Sequence, residues 1–328
     1  MIKKNIMLFS MFNCQILAEK ISRRLNIPLS KIQKTVFADG EIMIVSEEAV
    51  REKDVFIICS THKPVNDNLV ELLLFIDSLK RASAKSINLV LTYYGYARQD
   101  RKERGRQPIG AKLIADLLQT AGANKIIAVD LHNPAIQGFF NVPIDDLKGT
   151  YTLAKAIIKS KYDFTVVSPD HGGTTRARSL AELIAKTVKI GIIDKRRIGP
   201  DQTEVMGVIG EIENKNAVII DDIIDTGGTI IKAAKTLKAN GAKKIIIAAT
   251  HGVFTNGFDI FENNDDIEKV IISDSIDNYW MLKKYKKLEI VSLDYLLSEV
   301  INCHISGESI TKLYNTLAKD ISNVKWNN

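Results

Sequence analysis

Residues 218–229 read VIIDDIIDTGGT, a segment in which an apolar run meets two adjacent carboxylates, a third acid and a glycine-rich turn. The run 218–220 is short and entirely apolar, which is typical of a buried strand in a parallel sheet. Ligands of open α/β sheets bind beyond the carboxyl ends of such strands. Asp221, Asp222 and Asp225 stand at or just past such an end, so the segment predicts both a parallel sheet and a polar binding site at its edge.

The turn after these acids has the composition of an anion-binding loop. It leads into a helix pattern and consists only of hydroxyl residues and glycine: Thr226, Gly227, Gly228 and Thr229. The N–H groups at a helix N-terminus bind anions, and glycines permit a close approach. Acids beside a phosphate would repel it unless they accept hydrogen bonds from hydroxyl groups or bind a Mg²⁺ ion. A sugar phosphate fits such a site, because its phosphate can bind the turn and its hydroxyl groups can bind the acids. The alternative is a capped helix after a solvated turn, but a cap needs only one Ser, Thr or Asp.

Short Val- and Ile-rich runs alternate with amphipathic stretches along the chain. The runs that predict strands are NIMLF, DVFIICS, INLVLTYY, KIIAVDL, FTVVSP, VKIGIID, AVIID, KKIIIAAT and EKVIISD. NDNLVELLLFIDSLKRA predicts a helix that opens with the cap-type residues Asn66 and Asp67, and GTIIKAAKTLKANG predicts one that ends in a C-cap glycine, Gly241. IQKTVFADGEIMIVSEE has an Asp-Gly pair between alternating runs, which predicts a hairpin. This order predicts an α/β fold with mainly parallel sheets flanked by helices.

Two segments of the chain resemble each other. Residues 122–132 read GANKIIAVDLH and residues 241–251 read GAKKIIIAATH, and each follows a helix pattern with Ala and Leu in matching places. We therefore predict two similar α/β domains, 1–146 and 147–328, with room for the last segment to pack back on the N-terminal half. The alternative is a chance match, because a helix, a glycine and a strand form a common unit.

Composition and charge restrict the class of protein. A chain of 328 residues, 45% hydrophobic and 26% charged, suits a soluble globular protein of two domains. The net charge of +6 suits an enzyme of anionic substrates and is far from the dense basic block of a nucleic-acid arm. Neither a bilayer-spanning run nor a signal peptide is expected, so we predict no membrane partner. Three scattered cysteines favour the reducing cytoplasm.

The spacing of the acids and the Thr-Gly-Gly-Thr turn resembles the loop of type I phosphoribosyltransferases that binds 5-phosphoribosyl 1-diphosphate (PRPP). Further segments resemble, in order, the motifs of the ribose-phosphate pyrophosphokinase (PRPP synthetase) family: FADGE, STHKPVNDNLVELLLFIDSLKRASA, YYGYARQDRK, VDLHNPAIQGFF, SPDHGG, IIDKRR and EVMGVIG. The resemblance spans nearly the whole chain. It implies two phosphoribosyltransferase-like domains that transfer the pyrophosphoryl group of ATP to the 1-hydroxyl of ribose 5-phosphate, giving PRPP and AMP for nucleotide biosynthesis, with Mg²⁺ as cofactor.

The resemblance also implies roles for residues of the C-terminal half. It assigns the ribose 5-phosphate site to Asp221, Asp222, Asp225, Thr226, Gly227, Gly228 and Thr229. It assigns catalysis to Lys195 and Arg197, which can point to one side of a strand end and stabilise developing negative charge. It makes His132 and Asp170 the ligands of Mg²⁺. Without the resemblance, Lys195 and Arg197 would be interpreted as a basic patch on the surface, and His132 as a structural residue.

The implied ATP site combines a charged loop with the predicted hairpin. Arg98 and Gln99 would meet ATP, and their loop would close over it as a lid; otherwise it is a solvated, mobile loop. Phe37, Asp39 and Glu41 would form part of the ATP site of a neighbouring subunit, or else the Asp-Gly pair only makes the hairpin turn. The first reading places the active site at an interface and makes the enzyme a homo-oligomer, in this family typically a hexamer built from dimers.

The sequence departs from the family pattern in the regions that, in the phosphate-activated class, form the regulatory site for phosphate and ADP. Ala49 stands where Ser is common, and Thr311 and Tyr314 stand for Ser and Phe, whereas Arg51 and Ser309 are retained. We expect this class, with more support in the sequence for catalysis than for regulation.

Three other functions remain open at this point. A non-catalytic, PRPP-synthetase-like regulatory subunit would lose or interrupt site motifs, and those motifs are intact. A phosphoribosyltransferase that consumes PRPP would share the DDIIDTGGT loop but would not need the ATP-side motifs. An RNA-binding regulator on this fold is compatible with the net charge, but the basic residues are dispersed and no aromatic stacking array accompanies them.

Overall fold

The computed structural model describes residues 5–160, 163–185, 187–199 and 202–323, with the backbone alone at 195–199 and 202–206. The chain divides into two compact units. Unit 1 comprises Met1–Lys148, Ser275–Asp277 and Leu293–Ser309, and unit 2 comprises Gly149–Asp274, Asn278–Ser292 and Ile310–Asn328.

Unit 1 is built on a parallel sheet. Its strands are β1 (Ile6–Ser10), β2 (Ile32–Val36), β3 (Ile42–Ser46), β4 (Asp54–Ser60), β5 (Ser86–Tyr93), β6 (Lys125–Val129) and β7 (Ile144–Leu147). The sheet has the order β1-β4-β5-β6-β7, and every neighbouring pair in it is parallel. The strands β2 and β3 pair separately as an antiparallel hairpin, which confirms the predicted hairpin.

Three helices pack on this sheet because each presents an apolar face at helical spacing. They are α1 (Gln15–Leu25), α2 (Val65–Arg81) and α3 (Gly110–Ala121). In α2 the buried positions include Leu72, Phe75, Ile76 and Leu79, and the ring of Phe75 meets that of Phe9 from β1 edge to face, with centroids 5.2 Å apart.

The predicted cap of α2 is wrong. The helix begins at Val65 after Pro64, whose backbone is extended, so Asn66 and Asp67 lie inside the first turn. Pro64 occupies the N-cap position, and its extended backbone ends the preceding segment where the helix begins. The carboxylate of Asp67 in the first turn interacts favourably with the positive end of the helix dipole.

Unit 2 has a larger sheet. Its strands are β8 (Phe164–Ser168), β9 (Ile190–Gly199), β10 (Gln202–Ile209), β11 (Asn216–Ile224), β12 (Ile245–Gly252), β13 (Lys269–Ser273) and β14 (Leu288–Val291). The order is β10-β9-β8-β11-β12-β13-β14, parallel except for the antiparallel edge strand β10. The helices before and between these strands are α4 (Thr150–Ile158), α5 (Thr174–Ile184), α6 (Gly228–Ala239) and the short α7 (Asp259–Glu262). Two helices end the described chain: α8 (Asp294–Ser306), which belongs to unit 1, and α9 (Ile310–Ser322), which belongs to unit 2.

The predicted fold class is confirmed: both sheets are mainly parallel and flanked by helices. Every run predicted as a strand overlaps one, and Gly241 follows the end of α6 with φ +84°, as a glycine after a helix C-terminus should. Within the described residues, every helix falls short of the length or the apolar character that a bilayer crossing demands.

Candidate active site

The central strand β11 carries the adjacent acids Asp221 and Asp222 in its second half. It lies between β8 and β12, and its residues 217–220 are buried on both faces. Asp222 is only 4% exposed, and Asp221 is half-buried. Asp221 and Asp222 therefore lie within the strand, and not at or past its end as predicted. Two carboxyl groups in an apolar strand require a compensating partner, because an unpaired buried charge is costly.

Arg176 of α5 is that partner. Its Nη1 lies 3.1 Å from Asp221 Oδ1, and its Nη2 lies 3.3 Å from Asp222 Oδ1. Burial and the neighbouring Asp222 nevertheless raise the pKa of Asp221, with Arg176 acting in the opposite direction. The sequence analysis missed this residue, although its place three positions after Gly173 puts it in the first turn of a helix that follows the SPDHGG loop.

The loop after β11 combines an acid with a close-packed glycine. The hydroxyl of Thr255 is hydrogen-bonded to the Asp225 carboxylate. Gly227 has φ +82°, and a Cβ there would lie 2.6 Å from the ring of Phe261 and 2.7 Å from Ile260 Cδ1. Only glycine therefore fits this position, which directly precedes the first turn of α6.

The hydroxyls and N–H groups around Gly227 face outward. The exposed members of the turn are Thr226, Gly228 and Thr229. With no side-chain cap on α6, the free N–H groups of its first turn suit an anion.

The SPDHGG loop follows β8. Asp170 is exposed, and its Oδ1 accepts a hydrogen bond of 3.0 Å from the N–H of Gly173. His171 Nε2 lies 2.9 Å from Asp194 Oδ1, so the loop contacts the β9 strand that carries the basic motif. Asp194 is a second residue that the sequence analysis did not assign.

The side chains of Lys195 and Arg197 lie outside the described set. Their backbone belongs to β9, where Lys195 pairs with Val205 and Arg197 with Thr203 across the antiparallel ladder with β10. They therefore lie within a long strand, and not past its end as the motif suggested.

In unit 1, two loops leave the carboxyl ends of neighbouring strands. Arg98 and Gln99 are exposed in the loop after β5, and His132 is exposed in the loop after β6. Asn133 Nδ2 donates to Asp100 Oδ2 at 2.5 Å, which joins the two loops. The predicted adenine-nucleotide residues Arg98 and Gln99 thus lie near the predicted metal ligand His132.

The hairpin residues lie elsewhere in unit 1. Phe37, Asp39 and Glu41 are exposed in the turn between β2 and β3. The carboxylate of Asp39 accepts a hydrogen bond of 3.0 Å from the N–H of Glu41, and Gly40 has φ +93°. The turn is therefore ordered by its own contacts while the ring of Phe37 faces outward.

The donor set for a metal is sparse. Within the described ranges, no three or more His, Cys, Asp and Glu side chains converge as a metal site. His132 belongs to unit 1 and Asp170 to unit 2, and both are exposed. Each of them fits Mg²⁺ only as a single ligand of an ion that keeps most of its waters and binds substrate phosphates.

The residues for which the sequence analysis expected a role in regulation are also divided between the units. Ala49 and Arg51 line a cleft of about 410 Å³ between β3 and α2 in unit 1. Tyr314 lies on α9 in unit 2, where its ring packs on Tyr151 with centroids 4.7 Å apart.

Comparison with known proteins identifies the family of the chain. Residues 6–122 match the N-terminal domain of ribose phosphate pyrophosphokinase, and residues 185–315 match the phosphoribosyl synthetase-associated domain. The ribose-phosphate pyrophosphokinase of Mycoplasmopsis pulmonis is 59% identical over 312 residues, covering 95% of this chain and 97% of that protein. The one of Bacillus subtilis is 47% identical over 312 residues, covering 95% and 98%.

A solved structure extends the similarity to three dimensions. The phosphoribosylpyrophosphate synthetase of Mycobacterium smegmatis superposes with a TM-score of 0.84 at 38% identity, covering 92% of this chain and 99% of that one. On these relatives and both domain matches, the chain belongs to the ribose-phosphate pyrophosphokinase family.

Proposed function

We propose that the strand end and loop of residues 221–229 bind ribose 5-phosphate and that the loops after β5 and β6 bind ATP. The enzyme transfers the pyrophosphoryl group of ATP to the 1-hydroxyl of ribose 5-phosphate, giving PRPP and AMP. The N-terminal domain, 1–146, is then the ATP side, and the C-terminal domain, 147–328, is the ribose 5-phosphate side.

One observation carries this proposal: a largely buried acid pair in β11 is separated by three residues from a glycine-rich turn whose Thr226, Gly228 and Thr229 are exposed. The turn offers N–H and hydroxyl donors to a phosphate. The carboxylates of Asp221, Asp222 and Asp225 accept hydrogen bonds from sugar hydroxyls. Phosphate and acceptors are thus spaced along one short segment, as a sugar phosphate requires.

We assign the chemistry of the transfer to cations. The 1-hydroxyl attacks the β-phosphorus and AMP leaves, so negative charge develops on the oxygens around that phosphorus. Lys195 and Arg197 stabilise this charge, and the protein's remaining task is to hold both substrates in line. Mg²⁺, held by His132, Asp170 and the substrate phosphates, would neutralise phosphate charge when bound.

We also propose a cytoplasmic homo-oligomer, a hexamer built from dimers, in which the hairpin residues Phe37, Asp39 and Glu41 complete the ATP site of a neighbouring subunit. Unit 1 exposes large apolar side chains on the hairpin and on adjacent helices: Val36, Phe37, Met43, Val70, Leu74, Leu113 and Leu117. An exposed apolar surface of this kind indicates a protein contact.

An assay of ATP and ribose 5-phosphate with Mg²⁺, following AMP and PRPP, tests the reaction. We expect both products only when both substrates are present. Repeating the assay with and without inorganic phosphate tests whether the enzyme is of the phosphate-activated class despite Ala49, Thr311 and Tyr314. A folded oligomer without turnover in either condition would favour a non-catalytic regulatory subunit.

The replacement Asp225→Asn tests the assignment of the loop. We expect the KM for ribose 5-phosphate to rise by about tenfold or more, because a neutral amide is a weaker acceptor for a sugar hydroxyl, with the KM for ATP nearly unchanged. Thr255→Val is the matched control, since it removes the hydroxyl that contacts Asp225 and keeps the charge. An equal rise in both KM values would contradict the assignment.

A further inference from the structure

Arg176 contacts both carboxylates that we assign to the sugar. Its two terminal nitrogens lie 3.1 and 3.3 Å from Asp221 and Asp222, respectively. The side chain of Arg176 is only 20% exposed, and those of Asp221 and Asp222 are 20% and 5% exposed. The ion pairs therefore lie mostly away from water, where charge interactions are weakly screened.

The two carboxylates belong to consecutive residues of β11, and both lie within reach of one guanidinium group. Arg176 makes the two contacts through two different terminal nitrogens, which the guanidinium group holds apart in a fixed plane. The guanidinium group has this shape, whereas the ammonium group of lysine is a point charge. We therefore expect arginine to hold the two acids in a more fixed orientation than lysine would.

The helix that carries Arg176 is firmly placed. The residues Ala177, Leu180, Ala181 and Ile184 bury one face of α5 against the unit 2 sheet. At its start, the Thr174 hydroxyl donates to the carbonyl of His171 at 2.8 Å. Arg176 is therefore held from a rigid element.

Gly173 leaves room beside the guanidinium group. A Cβ at this position would lie 2.7 Å from the Ser168 hydroxyl oxygen, 3.7 Å from Arg176 Nη1 and 3.8 Å from Asp170 Oδ1. Only the contact with Ser168 is too short for a Cβ, so glycine lets the SPDHGG loop turn tightly at the end of β8, within ordinary contact distance of both Arg176 and Asp170.

We propose that Arg176 is a positioning residue for ribose 5-phosphate, which fixes the carboxylates of Asp221 and Asp222 in the orientation in which they accept hydrogen bonds from sugar hydroxyls. This inference rests on the proposed function, since it takes the acid pair as the sugar site. Burial and mutual repulsion disfavour two ionised carboxyls here. The guanidinium group opposes both effects, and it also prevents the side chains from turning apart.

The test compares Arg176→Met with Arg178→Met. Arg178 lies on the same helix and is exposed, so its replacement is the same chemical change without loss of the buried contacts. For Arg176→Met we expect the KM for ribose 5-phosphate to rise about 10- to 100-fold, as when groups that orient ligands are removed, with the KM for ATP within about twofold. Arg178→Met should match the wild type in both.

Arg176→Lys tests whether the positive charge or the shape of the guanidinium group positions the acids. It also replaces Arg176→Met as the test if the methionine variant does not fold. It keeps the charge but replaces the two fixed nitrogens with one, so its KM for ribose 5-phosphate should lie between those of the wild type and Arg176→Met. A wild-type KM in Arg176→Lys would overturn the requirement for the two-donor fork.

A double variant tests whether Arg176 acts through the acids. When Asp221→Asn is already present, Arg176→Met should raise the KM for ribose 5-phosphate by a smaller factor than it does in the wild type, because part of its target is gone. Equal factors would show that Arg176 acts elsewhere.

The measurement separates this inference from the proposed function. A selective loss in Asp225→Asn with no loss in Arg176→Met would overturn the inference alone. An equal rise in both KM values for Arg176→Met, with a lower melting temperature, would leave it a merely structural residue. If neither Arg176→Met nor Asp225→Asn affects ribose 5-phosphate selectively, the site assignment itself is wrong.

Discussion

Asp221 is a carboxyl group whose burial beside Asp222 opposes its ionisation. Its pKa is therefore raised above the ordinary 3.8, even with Arg176 in contact. Between the ordinary and the raised value, the folded state holds a proton that the unfolded chain has released. The free energy of unfolding therefore falls as pH rises through this window. The ionised form, which we propose to bind the sugar, is thus present at a cost to the free energy of unfolding.

Replacing Asp221 with Asn should remove this part of the pH dependence. The free energy of unfolding of the variant minus that of the wild type should increase between ~pH 5 and ~pH 7.5. The increase should be at most ~1.4 kcal/mol per pH unit. Urea unfolding of both proteins at several pH values measures it. Asp163→Asn is the control, because that carboxyl is 82% exposed in the same unit. A difference that stays constant with pH would contradict the raised pKa.

Replacing Lys195 with Ala should lower kcat by about 10²- to 10⁴-fold, because a cation that stabilises developing charge acts mainly in the transition state. Nucleotide binding and melting temperature should change little. Steady-state kinetics with both substrates, together with calorimetric titration of ATP, measure these quantities. Near-normal turnover would remove Lys195 from the mechanism.

Single residues differed in how readily the sequence revealed them. Asp221 and Asp222 stood out because two charges interrupt an apolar strand, which is a local signal. Arg176 lies in a helix with another arginine two positions on, and nothing local says which of the two turns inward. That choice is made by the packing of α5 on the sheet, so it required the structure.

At the scale of elements, the loop between β11 and α6 depends on contact with a neighbouring helix. Gly227 has a positive φ and lies against Phe261 and Ile260 of α7. Because Phe261 is fully buried, it cannot move aside without disturbing the core of unit 2. The shape of the turn is thus set by the packing of α7 as well as by its own glycines.

Gly227→Ala should therefore destabilise unit 2 by ~2 kcal/mol or more and raise the KM for ribose 5-phosphate. Gly257→Ala is the matched control, because Gly257 also has a positive φ, of +80°, but the nearest atom to its Cβ would be 3.9 Å away. That variant should lose only ~1 kcal/mol, the cost of the backbone conformation. Thermal unfolding of the two variants separates the cost of the clash with α7 from the cost of a positive φ in alanine. Equal losses would show that α7 does not constrain the turn.

The predictability of elements follows from where they lie in a sheet. Central strands such as β5 and β11 are apolar on both faces, so their residues alone indicate a buried parallel strand. The edge strands β7, β10 and β14 went unpredicted. They have only one strand neighbour each, and β7 and β14 are four residues long. Pairing partners define such strands more than their own composition does.

At the scale of the whole molecule, the hairpin poses the main question. Lys34 of β2 pairs with Glu71 of α2 and lies over the ring of Phe12 at 5.5 Å, so the hairpin is anchored on its own unit. Its turn, with Phe37 and Asp39, is nevertheless exposed. A fixed hairpin with an exposed aromatic tip is suited to entering another subunit, which no local sequence signal distinguishes from an ordinary turn.

Complementation between two inactive variants tests this arrangement. If Asp39 serves the ATP site of a neighbour that contributes its own Lys195, then Asp39→Ala and Lys195→Ala subunits form intact sites when they assemble together. Each site takes one residue from each of two subunits, so random mixing at equal amounts should restore roughly a quarter of wild-type activity. Co-expression with two different tags, purification of mixed oligomers and the AMP assay measure it.

Lys195→Ala mixed with Asp225→Asn is the matched control. Both residues belong to one unit of one chain, so no exchange of subunits rebuilds a site that contains both intact, and the mixture should show no more activity than its components. Recovery in the first mixture alone would place the hairpin in the neighbour's site. An inactive first mixture, from oligomers shown to contain both subunits, would mean that the hairpin serves its own chain, and the exposed apolar side chains of unit 1 would then act in assembly without contributing to the ATP site.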